Sequence, residues 1–167
     1  MKLLFLLRHA KSSWADPGLS DRKRPLAPRG RRAARNLARY MQQERIRPAL
    51  VLCSSARRTR ETVELLAPAL GGVKVQIEDE LYAASAAALL RRLRRVPARV
   101  PSVMVVGHNP GIQDLALALA ARGDALASVQ EKLPTGALAS LVFRKTWAAL
   151  GKGDAELVGL VAPRDLA

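Results

Sequence analysis

Only two histidines occur in the 167 residues, and each closes an apolar run. His9 follows Leu3-Leu4-Phe5-Leu6-Leu7-Arg8, and His108 follows Val103-Met104-Val105-Val106-Gly107. A third run, Ala49-Leu50-Val51-Leu52-Cys53, leads into Ser54-Ser55-Ala56-Arg57-Arg58. Two histidines, strand-end arginines and no further metal ligands suit phosphoryl transfer to nitrogen. A neutral imidazole is a competent nucleophile near pH 7, so His9 is placed to attack phosphorus in line and form a phosphohistidine. Arginines would neutralise the equatorial oxygens, where this reaction carries its charge. One Arg-His pair alone is more often a solvated strand end; a second histidine at a similar strand end gives the pattern its weight.

The elements that must hold these groups follow from periodicity. Strands are expected at residues 3–7, 49–53, 73–77 and 103–106, with two more at 136–143 and 156–161. Between residues 29 and 45, Ala34, Leu37, Ala38 and Met41 recur at helical spacing, with Arg31, Arg35 and Arg39 on another face. Further helices are expected after Ser54-Ser55, which is a candidate N-cap, and over about residues 84–95 and 110–121. At the last of these, Asn109 is placed to cap and Pro110 to enter the first turn. Residues 12–28 are dense in turn formers and read as a long loop beside His9, with Trp14 as its packing anchor. Residues 122–135 show no period and are expected to be a connection. Alternating strands and helices predict a single α/β domain over residues 1–167, a three-layer α/β/α sandwich around a mostly parallel sheet. Ligands of such sheets bind beyond the carboxyl ends of the strands, which puts Arg8-His9, residues 54–58, residues 78–80 and His108 on one rim.

Composition narrows the class. Nearly half of the residues are hydrophobic, which excludes global disorder, and the formal charge of +14 favours phosphorylated partners of any kind. The short N-terminal apolar run is neither a signal peptide nor a membrane span, and the single cysteine agrees with a reducing compartment, so a cytoplasmic protein is expected.

As a set, these motifs resemble the histidine phosphatase superfamily, the phosphoglycerate-mutase-like fold, and within it the small SixA-type phosphohistidine phosphatases. Leu7-Arg8-His9-Ala10 is similar to the family's strand-end Arg-His and implies His9 as nucleophile and Arg8 as phosphate ligand. Ser54-Ser55-Ala56-Arg57-Arg58-Thr59-Arg60-Glu61-Thr62 is similar to its second motif, which assigns phosphate binding to Arg58 rather than Arg57. Val106-Gly107-His108-Asn109-Pro110 resembles its second-histidine motif and implies that His108 binds the phosphoryl group, as imidazolium. Larger members carry a glutamate general acid after the third strand, and Glu80 is the nearest match. Lys11 and Ser12, next to His9, are expected to extend the phosphate pocket. One departure is Leu26-Ala27-Pro28-Arg29-Gly30, where the family often has threonine in place of Ala27.

The resemblance implies hydrolysis of phosphohistidine on a protein, without metal or cofactor, through phospho-His9; a small-molecule phosphomonoesterase is the alternative within the same superfamily. The chain is short, which leaves little sequence for a lid that would keep water from a phosphoenzyme, so hydrolysis is expected rather than mutase chemistry. A cysteine phosphatase is disfavoured, because six residues after Cys53 stands Thr59 where an arginine is needed, and Cys53 reads as a buried strand residue. A basic nucleic-acid-binding module is the reading from a different class. With aromatics at only 4% there is little for bases to stack on, so no specific nucleic acid is expected as partner, and no membrane.

Overall fold

The computed structural model describes residues 1–167 as a seven-stranded sheet with helices on both faces. Its strands are β1 (Lys2–Arg8), β2 (Leu50–Ser54), β3 (Lys74–Glu78), β4 (Ser102–Gly107), β5 (Ala120–Arg122), β6 (Leu138–Phe143) and β7 (Ala155–Val161), in the spatial order β3-β2-β4-β1-β6-β7-β5. The first four strands are mutually parallel, whereas β6 runs antiparallel to both β1 and β7. The expected α/β/α sandwich is therefore present, and the C-terminal ends of β1 to β4 lie on one rim.

The central strand shows how the sequence produces the layers. Side chains alternate across a strand, so Leu4 and Leu6 enter one core while Phe5 and Leu7 enter the other. Helices α1 (Pro28–Gln43), α2 (Arg57–Leu65) and α3 (Ala67–Leu70) cover the Phe5 face. Helices α4 (Ala86–Arg94), α5 (Gly111–Leu119) and α6 (Leu126–Glu131) cover the Leu4 face. A short α7 (Pro163–Leu166) ends the chain. Helix α1 buries Ala34, Leu37, Ala38 and Met41, the stripe expected from spacing. Each large side chain buried in this way stabilises the fold by roughly 1.5–3 kcal/mol.

Three local expectations change. The connection at residues 122–135 contains α6 and follows the short β5; only Val129 and Leu133 of its apolar residues are fully buried, too few to show a period. Trp14 is not a packing anchor: it is 73% exposed and lies under the guanidinium of Arg24, 3.3 Å from the ring centre. Ser54 does not cap α2, whose N-cap residue is Ala56 without a side-chain bond; its hydroxyl is used elsewhere.

Candidate active site

Strand β1 delivers His9 to the rim, where its amide donates to Gly107 O (3.1 Å) at the end of β4. The ring Nδ1 lies 2.7 Å from Ala10 O. A carbonyl can only accept, so Nδ1 carries the proton and Nε2 keeps its lone pair. The backbone thus sets the tautomer that a nucleophile at Nε2 requires.

His108 is set the opposite way. Its Nδ1 accepts from Arg58 Nη2 (3.3 Å), and its Nε2 donates to the fully buried Ser54 Oγ (2.7 Å). The two imidazoles stand 5.4 Å apart between ring centres, tilted by 54°. Asn109 closes this end, its Oδ1 accepting from Gln113 N (3.2 Å) in the first turn of α5.

Arg58 enters from the first turn of α2 and is buried. The local sequence holds that turn: Thr59 Oγ1 donates to Ser54 O (2.7 Å), and Thr62 Oγ1 donates to Arg58 O (2.7 Å) while accepting from Ala10 N (3.1 Å). Thr62 therefore joins the helix bearing Arg58 directly to the residue after His9. Arg8 donates through Nη1 to Leu133 O (3.0 Å), and its buried Nε is a donor without an acceptor.

Sequence reasoning did not find the carboxylate that reaches this centre. Asp21, from the long loop, accepts from Arg58 Nη2 at Oδ2 (3.0 Å), and its carbonyl accepts from Arg58 Nη1 (2.8 Å). Tyr82 Oη also donates to Asp21 Oδ2, and the Tyr82 ring stands edge-on to His108 at 5.6 Å. Arg24 Nη1 holds the other oxygen (3.1 Å). The loop is pinned through Glu61, which accepts from Leu26 N (2.8 Å) and pairs with Arg57 and Arg31. The available signal was Asp21, one of two acids in the long loop and the one immediately before Arg22-Lys23-Arg24.

The structure brings His9, Arg58 and His108 together, and Arg8 bears electrostatically on both histidines. It does not bring Glu80 to them. The Glu80 carboxylate pairs with Arg95 (2.6 Å) and Arg92 (3.7 Å), both toward α4. Ser12 is buried one step away, its Oγ accepting from Arg24 Nη2 and its backbone bridged to Leu26. The Lys11 side chain is exposed and lines a neighbouring pocket rather than the histidine cluster.

Burial dominates the electrostatics. It pushes the His9 imidazole down to about 3, helped by the charges of His108, Arg58 and Arg8. It pushes His108 down to about 4, with Arg58 the next cause. In the free protein Arg58 donates to a His108 nitrogen that keeps its lone pair, so the ring is neutral there; a bound phosphoryl dianion would favour the charged form. Asp21 moves down to about 2, through the Tyr82 hydrogen bond first and then Arg58 and Arg24, against a smaller burial effect. Cys53 is fully buried, and burial pushes its thiol up to about 12, so the strand reading holds and the thiolate is absent at neutral pH.

The histidines also link folding to pH. Their folded values lie below the unfolded value near 6.5, so between about pH 6.5 and 3 the unfolded chain binds more protons than the native one, His108 contributing down to about 4 and His9 to about 3. Stability is undiminished by this effect above about pH 6.5 and falls as pH drops through that window, by on the order of a few kcal/mol in total. Denaturant melts from pH 7.5 to 4.5 should show this loss, and ring-nitrogen NMR should show neither histidine charging above pH 5. A ring titrating near 6.5 in the folded protein would contradict the geometry.

The sequence profile of the histidine phosphatase superfamily (branch 1) matches residues 4–88. An uncharacterised Mycobacterium tuberculosis protein is 36% identical over 165 residues, covering 95% of this chain and all of the relative. Among solved structures, SixA from Agrobacterium tumefaciens superposes with a TM-score of 0.82 at 32% identity, covering 97% of this chain and 98% of the other. SixA from Nakamurella multipartitia gives 0.81 at 30% identity, covering 97% and 96%. The sandwich is thus of the phosphoglycerate-mutase-like type, and the chain belongs to the histidine phosphatase superfamily, as a SixA-type phosphatase.

Proposed function

We propose that the protein hydrolyses phosphohistidine on protein substrates through a covalent intermediate on His9. In the first step the Nε2 lone pair of His9 forms a bond to phosphorus while the substrate P–N bond breaks, its electron pair returning to the departing imidazole. Arg8 and Arg58 balance the phosphoryl charge, and His108 donates to it once the group is bound. Water then attacks phospho-His9, the P–N bond breaks, and the released proton leaves with inorganic phosphate as His9 is regenerated.

One observation carries the choice of substrate: the carboxyl group at the centre is not a proton donor. Asp21 is ionised down to about pH 2, and Glu80 is held by Arg95 and Arg92. An alkoxide leaving from an ordinary phosphate ester needs a proton from a general acid. An imidazole leaving from a phosphoramidate departs neutral once its other ring nitrogen has taken a proton from solvent, which an imidazole does near neutral pH, and then needs none from a carboxylic acid. The A. tumefaciens and N. multipartitia proteins are themselves candidate phosphohistidine phosphatases, which supports the same choice.

The test is a panel of phosphohistidine protein, sugar phosphates and nucleotides ranked by kcat/KM, run on the native chain and on Glu80→Gln. Phosphohistidine protein should exceed alkyl esters by at least about 100-fold, and Glu80→Gln should change no substrate by more than about threefold. Faster hydrolysis of alkyl esters, with a large Glu80→Gln loss confined to them, would favour the small-molecule phosphomonoesterase instead.

A further inference from the structure

Beside the nucleophile lies a second basic feature that this chemistry does not use. Lys11, Arg29 and Arg164 converge on an open pocket of about 350 Å³, walled by Pro134, Thr135 and Pro163. No acidic side chain lines it. None of these three cations is in an ion pair, whereas Arg22, Arg24, Arg31, Arg57, Arg92 and Arg95 all have carboxylate partners. The nearest acid in sequence, Asp165, is turned onto the backbone amide of Ala162 (2.8 Å). Holding three unpaired cations around one concavity is unfavourable by itself and becomes favourable when an anion enters.

The pocket is built on rigid backbone. Gly30 is pressed so closely on Lys11 that a Cβ there would stand 2.1 Å from the Lys11 carbonyl oxygen. That oxygen also accepts from Ala27 N (2.9 Å). Next to the wall residue Thr135, Gly136 takes a φ of 76° that only glycine adopts easily, and its amide donates to the carbonyls of Arg8 (3.0 Å) and His9 (2.9 Å). Both walls are thus tied to the strand end that carries the nucleophile. The pocket also borders the first turn of α1, where the N-cap position is Ala27 and no side chain caps the helix. An uncapped N-terminus of a 16-residue helix adds positive potential to the three cations.

We propose that this pocket is a docking subsite for acidic side chains of the protein that carries the phosphohistidine. This rests on the function proposed above and extends it from the phosphoryl group to its carrier. The volume exceeds what a single carboxylate fills, the walls are preorganised, and the charge selects Asp and Glu while rejecting basic segments.

The experiment compares two phosphohistidine peptides that differ only in flanking residues, one acidic and one neutral, on the native chain and on Arg29→Gln/Arg164→Gln. Partly exposed ion pairs are individually weak, so three should favour the acidic peptide by about tenfold in kcat/KM at low salt. That ratio should fall toward one in the double variant, and in the native chain as salt is raised. A native ratio near one, or an unchanged ratio in the variant, would overturn the subsite.

A binding arm separates this outcome from failure of the function itself. An unphosphorylated acidic peptide is titrated by calorimetry into both proteins, with diphosphate in a parallel run. Binding of the acidic peptide that is lost in the variant supports the subsite even if neither phosphopeptide is turned over. Binding of diphosphate without the peptide would overturn the assignment to a protein partner.

Discussion

Replacing His9 by Ala is expected to reduce kcat by at least about 10⁴-fold on every substrate, with the fold retained. The size of the loss follows from the neighbouring nucleophiles being engaged or uncharged: the Nδ1 lone pair of His108 accepts from Arg58 Nη2 (3.3 Å). Cys53 is buried with its thiol pushed up to about 12, and Ser54 Oγ already accepts from His108 Nε2, with no base oriented to take its proton. Retention of the fold follows from how little the ring contributes. Its hydrogen bond is to the adjacent Ala10 carbonyl, and the variant removes a desolvated titratable group from the rim. Circular dichroism and a melt at pH 7.5 should place the variant within about 2 kcal/mol of the native chain. Turnover near the native rate would remove His9 from the mechanism.

The second large effect is expected at Arg58. This buried guanidinium faces His108 Nδ1 and both the carbonyl and carboxylate of Asp21. Arg58→Ala should lower kcat/KM by about 10³-fold, because it removes a preorganised fork from the developing charge and leaves Asp21 beside the phosphoryl position with only Arg24 to offset its charge. Arg58→Lys should recover only part of this, since a compact ammonium lacks the planar fork that reaches the carbonyl, the carboxylate and a phosphoryl oxygen from fixed directions. The same geometry makes a distinct prediction for Asp21. In the free protein its carboxylate occupies Arg58, so an incoming phosphoryl group must share or displace it; Asp21→Asn should therefore lower the Kd for inorganic phosphate. Arg58→Ala activity within tenfold of native would remove Arg58 as a phosphate ligand.

The parts of this site that could be read from sequence are those in which an apolar run ends at a functional residue. The runs ending at Leu7 and Val106 are short and apolar, as buried strands are, and parallel strands bring their carboxyl ends together, so His9 and His108 follow from hydrophobicity and one topological rule. Arg58 followed from the resemblance of residues 54–62 to the family's second motif. Glu80 did not, because in the tight turn at Asp79–Leu81 one residue of register changes the direction of a side chain entirely. Leu81 enters the core, Glu80 faces α4, and Tyr82 faces Asp21 and His108. Asp21 was hidden for a different reason. It reaches the centre through closure of the loop over residues 12–27, which is pinned by Glu61, far along the chain, through Leu26 N. Such tertiary contacts leave no periodic trace.

The central claim is that the phosphoryl group passes to Nε2 of His9. The direct measurement is to quench the enzyme with a slow phosphoramidate substrate at alkaline pH, digest it, and locate the label by mass spectrometry without acid, with phosphorus NMR to distinguish the two ring nitrogens. Phosphate on His9, at Nε2, with Nδ1 still protonated toward Ala10 O, is the predicted result. Phosphate on Ser54, on His108 or on Nδ1 of His9, or turnover with no phosphoenzyme under conditions that trap a phosphohistidine, would contradict it.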